Sequence, residues 1–264
     1  MIMPNAQHNY FPDNEALALN SFGSKLNVAI VGGTGGLGGA FMGALEYCSA
    51  VSTIFAFSRS NIITDSNKIA WHHLDLEDKD SIVSAATAVQ QSVKKLHLVI
   101  LATGILHDGK RLQPEKSWRD IDGSAIEKTF RLNTIGPALV AKHFLPLLAH
   151  NQKSVFAALS ARIGSIEDNH LGGWHSYRAS KAALNMLLKN FAIELARHNP
   201  QAICIGIHPG TVDTGLSKPF QANVPKNKLF SPKFSAHRLL NVIDSVTASD
   251  SGTIIAWDGK NIPY

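Results

Sequence analysis

Apolar positions in this chain gather into short, nearly continuous runs at residues 26–31, 53–57, 68–74, 96–102, 154–159, 202–208 and 253–257. Runs of this length without strict alternation fit strands covered on both faces, the condition of a parallel sheet flanked by helices. Between them lie stretches with helical spacing: one beginning at Ala40, then 81–93, a long segment ending at His150, 180–196 and 235–245. The alternation predicts an α/β fold, a Rossmann-type doubly wound parallel sheet of about seven strands with helices on both faces. Residues 1–25 carry no such pattern and read as an N-terminal extension outside the fold, either frayed or packed on a neighbouring subunit. Residues 26–264 read as a single domain, without repeats, linkers or low-complexity segments. Within it, residues 211–230 are rich in Pro, Lys and Asn and predict a mobile substrate loop over the site.

Composition narrows the class. Of 264 residues, 45% are hydrophobic and 17% charged, which suffices for one large core. No apolar run approaches the roughly 20 residues needed to span a bilayer, and the start of the chain lacks a signal-peptide pattern, so a cytoplasmic protein without a membrane partner is expected. Cys48 and Cys204 are far apart among apolar neighbours and read as buried thiols. The twelve histidines are dispersed, so no metal is assigned. A net charge of +5 without a basic cluster interleaved with aromatics argues against nucleic acid and suits an anionic small molecule.

Three motifs carry chemistry. The first apolar run breaks into Gly32-Gly33-Thr34-Gly35-Gly36-Leu37-Gly38-Gly39 and then a helix. In a strand-turn-helix context, glycines let the backbone approach a pyrophosphate while the helix N-terminus offers free N–H groups and a positive dipole end. The second run ends in Ser58-Arg59, where an acid would hold a ribose diol; a guanidinium suits a 2′-phosphate, which points to NADP(H) rather than NAD(H). Tyr177 and Lys181 stand four apart at the start of a helical segment and so share one face. An ammonium there is expected to pull the phenol below its ordinary value and make it a proton donor and acceptor.

Assembled in order, these pieces resemble the short-chain dehydrogenase/reductase family, with stretches similar to its C-factor-like and sniffer-like carbonyl reductases. The family's glycine turn matches Gly32, Gly36 and Gly38, its adenine-side acid matches Asp75, followed by Leu76, and its Asn-Asn-Ala-Gly segment is represented by Leu101-Ala102-Thr103-Gly104. Asn133, the Tyr177/Lys181 pair, and Pro209, Gly210, Val212 and Thr214 match its remaining motifs. The resemblance implies an NADP(H)-dependent oxidoreductase that reduces an aldehyde or ketone by hydride transfer. Tyr177 would be the general acid/base, Lys181 would hold the nicotinamide ribose, Asn133 would position a water, and Thr214 would touch the carboxamide or phosphates. One position departs: where the family has its catalytic serine, this chain has Ala161. Ser160 is the favoured replacement, with Ser165 or no serine as alternatives. A second reading is an NADP(H)-binding signalling protein of low turnover.

Trp174, Ile105, Leu106 and residues 216–230 are expected to line the substrate pocket. Residues 180–196 are apolar around most of the helix circumference, which predicts a helical subunit contact and a homodimer or homotetramer.

Overall fold

A computed structural model describes residues 17–60, 62–109 and 111–264. Residues 1–16, the greater part of the expected extension, lie outside the described residues. The apolar runs form strands β1 (Leu26–Val31), β2 (Val51–Ser58), β3 (Ile69–His73), β4 (Leu98–Leu101), β5 (Ser154–Leu159) and β6 (Ala202–His208). Two short strands, β7 (Thr211–Val212) and β8 (Leu229–Phe230), pair as a separate parallel ribbon, and β9 (Ile254–Ala256) and β10 (Asn261–Ile262) follow. Among the described residues the main sheet has eight strands in the order β10-β9-β6-β5-β4-β1-β2-β3. It is parallel except for β10, whose two residues pair antiparallel to β9. The eighth strand is too short to leave a mark in the apolar pattern.

Alternate residues of each strand serve two cores. Val28 and Ile30 of β1 face helices α1 (Gly36–Glu46) and α6 (Pro232–Ser245), while Ala29 and Val31 face α2 (Lys79–Ser92), α4 (Gly136–Phe144) and α5 (His175–His198). Burial on both faces is why these segments read as continuous apolar runs. β1 pairs with β2 on one side and β4 on the other, so the winding direction reverses between β1 and β4. A crevice opens at such a point, outside the carboxyl ends of the strands.

Three expectations change. The first concerns residues 1–25: Leu19 and Phe22 are buried in the α1/α6 core, Ser21 Oγ donates to Asp244 at 2.6 Å, and Lys153 Nζ donates to Ser21 Oγ at 2.8 Å. The fold therefore begins before Leu26, because two isolated apolar side chains close the end of α6. The second is the long helix ending at His150, which is broken into α3 (Gly123–Phe130), a wide π turn (Arg131–Ile135), α4 and a closing 3-10 turn. Pro137 has no N–H for the carbonyl of Asn133 and its ring crowds that carbonyl, so Gly136 N–H bonds back to Arg131 instead. The third is the loop 211–230, expected without regular structure, which carries the β7–β8 ribbon and two 3-10 turns. Cys48 and Cys204 are buried free thiols, as read from their neighbours. No helix among the described residues is long and apolar enough to cross a membrane.

Candidate active site

The turn after β1 is tied to the end of β2, since Gly32 and Gly33 both donate N–H to the carbonyl of Phe57, at 2.9 and 3.1 Å. Gly32 takes φ +90°, and a Cβ on Gly38 would stand 2.0 Å from the Gly32 carbonyl oxygen, so this turn closes only with glycine at both places. Gly35 caps α1 without a side-chain acceptor for its first amides. Gly35, Gly36 and Leu37 at this helix start line the cleft. Thr214 packs against the same turn: a Cβ on Gly36 would meet Thr214 Cγ2 at 2.6 Å.

The cleft holds about 740 Å³ and opens at the carboxyl ends of β1, β4, β5 and β6. It brings together much of the predicted set: Ala102, Thr103 and Gly104 after β4, Ser160 after β5, Tyr177 and Lys181 on α5, and Pro209, Gly210, Val212 and Thr214 after β6. Gly32, Thr34 and Gly38 belong to the same turn but do not line the cleft, and Thr34 is exposed. Ser58, Arg59, Asp75 and Leu76 lie outside the cleft, at the ends of β2 and β3 beside the turn. There Ser58 Oγ donates to the Ser60 carbonyl, Arg59 is exposed, Asp75 Oδ1 accepts the Glu77 N–H, and Leu76 is buried against Gly136. The residues fit a dinucleotide: a helix end without a side-chain cap, a glycine turn with no room for side chains, and Thr103 Oγ1, buried without a partner among the described residues.

Tyr177 is the third residue of α5 and Lys181 the next turn on the same face. Lys181 Nζ lies 5.8 Å from the phenol ring centre and donates to the Leu159 carbonyl at 2.8 Å. Burial holds this ammonium down at about 8. Burial pushes Tyr177 up to about 12, opposite to the direction expected from the Tyr/Lys spacing. Removal of the phenol from water outweighs the pull of the ammonium. At neutral pH the phenol is therefore protonated.

Asn133 sits fully buried in the π turn. Its Oδ1 accepts the Ile105 N–H at 2.7 Å, and its Nδ2 donates to the Ile105 carbonyl at 2.8 Å and to Ser180 Oγ at 3.1 Å. It thus pins the strand end after β4 to α5. A side chain at Gly104 would stand 3.4 Å from both Asn133 Oδ1 and Lys181 Nζ, so glycine leaves that space open.

Ser160 is buried and donates its hydroxyl to Asn185 Oδ1 at 2.5 Å, which commits its proton away from a bound carbonyl. Ser165 Oγ accepts the Asp168 N–H at 3.0 Å and donates to the Tyr264 carbonyl. Ala161, not a hydroxyl, lines the cleft at the position in question.

The pocket wall includes Trp174 and Leu106, as expected, with Leu216, Phe220 and Val224 from the loop after β7. Ile105 does not line it, because its backbone is held by Asn133. Sequence reasoning missed His208, Arg162, Asp168 and Arg178, all on the cleft wall. Burial lowers His208 to about 4, with Arg162 adding to the effect, so it is neutral. Arg162 pairs with Asp168 at 2.8 Å, and Arg178 donates to the carbonyls of Gly172, Gly173 and Ile163. His208 precedes Pro209 at the end of β6, a position the motif itself marks; the two arginines carry no local signal.

The family profile described as short chain dehydrogenase matches residues 26–225. The chain belongs to the short-chain dehydrogenase family. Members of this family are oxidoreductases acting on alcohol and carbonyl groups, and so is this chain. It is 30% identical over 195 residues to 1-hydroxy-2-glutathionyl-2-methyl-3-butene dehydrogenase of Rhodococcus sp. (strain AD45), covering 72% of this chain and 78% of that one. It is 32% identical over 146 residues to the C-signal protein of Myxococcus xanthus, covering 55% of this chain and 82% of that one. The fold matches the NADPH-bound carbonyl reductase from chicken fatty liver with a TM-score of 0.78 at 24% identity, over 93% of this chain and 97% of that one. It matches carbonyl reductase Sniffer of D. melanogaster at 0.79 and 20% identity, over 91% and 100%.

Proposed function

We propose that this short-chain dehydrogenase reduces an apolar or aromatic aldehyde or ketone with NADPH, using Tyr177 as the proton donor. The observation that carries the reading is the meeting of Tyr177, Lys181 and the glycine turn in one cleft at the β1/β4 reversal. Bound NADPH supplies the hydride. The amides at the start of α1 would hold its pyrophosphate and the exposed Arg59 its 2′-phosphate. The phenol of Tyr177, protonated at neutral pH, delivers its proton to the carbonyl oxygen as negative charge builds there. Lys181, fixed by the Leu159 carbonyl, keeps a positive charge next to that phenol and binds the nicotinamide ribose. Asn133 keeps the space around Gly104 and Lys181 in shape. Leu106, Trp174 and Phe220 exclude water from the reacting carbonyl.

The protein acts in the cytoplasm as one cofactor-binding domain, with residues 211–230 as its substrate loop. α5 leaves Met186 62% and Ile193 46% exposed, and an apolar groove with Phe191 and Leu195 runs between α4 and α5. This face joins two subunits in a homodimer or homotetramer. One observation favours the second reading, a low-turnover NADP(H)-responsive signalling protein: Ser160 is committed to Asn185 and Ala161 brings no hydroxyl, which lowers the stabilisation available to an alkoxide. Tyr177→Phe tests the enzyme reading, with turnover of benzaldehyde followed by NADPH absorbance. Turnover falls by about two orders of magnitude or more, while NADPH affinity holds. Unchanged turnover removes the mechanism.

A further inference from the structure

The chain enters α5 through three consecutive residues in the left-handed region, Gly172, Gly173 and Trp174, at φ +63°, +66° and +52°. Glycine takes this conformation freely, but a residue with a side chain holds it only when its surroundings impose it. Trp174 is the N-cap of α5 and makes no side-chain cap bond. What holds it comes from the loop after β4. The backbone carbonyl of Glu115 accepts the Trp174 N–H at 2.5 Å, and the Glu115 carboxylate accepts the Ser176 N–H, at 3.2 and 3.3 Å to its two oxygens, together with the Ser176 hydroxyl. Glu115 is 4% exposed, an acid buried against the positive end of the helix that carries Tyr177.

The indole held in this way stands at a junction. Its ring centre is 6.3 Å from that of Tyr177, in an edge-to-face arrangement, and 5.0 Å from that of Phe220 in the loop between β7 and β8. Trp174 therefore touches both the Tyr177 ring and the loop between β7 and β8.

We propose that Glu115 is a positioning residue: it clamps Trp174 in its left-handed conformation and so sets the wall that accepts a flat, apolar substituent beside the reacting carbonyl. The inference rests on the carbonyl-reductase reading for its substrate class, but the clamp itself does not. Removing the carboxylate frees Ser176 and leaves Trp174 held at its N–H by the main chain of residue 115 and at its carbonyl by the Arg178 N–H. Replacing it with an amide keeps one oxygen acceptor for the Ser176 N–H.

The experiment compares Glu115→Ala, Glu115→Gln and Trp174→Phe with the wild type by amide hydrogen exchange, NADPH titration and turnover of benzaldehyde and propanal. In Glu115→Ala, exchange at the amides of Trp174 and Ser176 quickens about tenfold or more. KM for benzaldehyde rises about tenfold, while that for propanal and the NADPH affinity stay within about twofold. Glu115→Gln recovers most of both effects, and Trp174→Phe raises the benzaldehyde KM with the Ser176 exchange unchanged. Equal losses for both aldehydes in Glu115→Ala, or exchange at these amides as slow as in the wild type, overturn the clamp. If Glu115→Ala does not fold, Glu115→Gln and Trp174→Phe decide: a benzaldehyde KM that neither changes refutes the proposal. If the wild type turns over neither aldehyde, the carbonyl-reductase reading fails, and the exchange data alone uphold or refute the clamp.

Discussion

Placing a hydroxyl at Ala161 is a direct test of how this cleft handles a developing alkoxide. Ala161 has extended backbone (φ −150°, ψ 145°) and a half-buried side chain on the cleft wall, so a serine there adds one oxygen without backbone strain. The neighbouring Ser160 does not supply this bond, since its proton goes to Asn185 at 2.5 Å. A fully preorganised donor in an oxyanion site contributes about 2.7–4 kcal/mol, and an ordinary neutral hydrogen bond about 1 kcal/mol. Ala161 is only half-buried, so the gain falls toward the lower end, about 1–2 kcal/mol, or roughly 5- to 30-fold in kcat. Steady-state reduction of benzaldehyde, followed by NADPH absorbance at saturating cofactor, reads this directly. A companion variant, Ser160→Ala, leaves kcat within about twofold but destabilises the fold by about 1–3 kcal/mol, because the buried Asn185 oxygen loses its donor. An Ala161→Ser enzyme that folds, binds NADPH and shows no gain refutes the reasoning. So does a loss of turnover in Ser160→Ala, which would return the role to Ser160.

Arg59→Ala weakens NADPH by about 10- to 100-fold, the cost of a charge-assisted hydrogen bond, and changes NADH little; equal losses in fluorescence titrations of both would remove the 2′-phosphate assignment. The pH dependence of Lys181 separates activity from stability. Its folded value of about 8 lies below the ordinary 10.5, so the folded state binds fewer protons than the unfolded chain between these values, and its contribution to stability rises with pH across that window. Over the same rise kcat/KM falls, because the ammonium is lost while Tyr177, at about 12, stays protonated; Lys181→Met abolishes both trends in pH-rate and thermal-melt series. Met186→Glu with Ile193→Glu places charge on the exposed face of α5 and produces monomers in size-exclusion chromatography; an unchanged elution volume moves the subunit contact elsewhere.

The sheet was legible because both faces of its strands are covered, which turns each into a bounded apolar run such as 202–208. The glycine turn and the Tyr177/Lys181 pair were legible because backbone approach and helical spacing are local properties. Two kinds of information were not. Leu19 and Phe22 are isolated apolar residues whose burial depends on α6, more than 200 positions along the chain. The direction of the Tyr177 shift depends on how much water the assembled cleft removes, which no pair spacing encodes. The break at Asn133 stood in plain view as Gly136-Pro137, and the proline argument applied to it gives the π turn. Glu115 and Ser176 are 61 residues apart and meet only because β4 and α5 open onto the same edge.

The ribbon of β7 and β8 has a bearing on how such a protein diversifies. Neighbouring strands run about 4.8 Å apart, so the pairing of Thr211 with Leu229 and Val212 with Phe230 brings the two ends of residues 213–228 together before that segment begins. Lengthening a closed excursion of this kind costs little, since the entropy of closure grows only with the logarithm of its length. Grafting a longer or shorter segment between these two fixed posts would refashion the roof of the cleft while Tyr177 and the glycine turn keep their places.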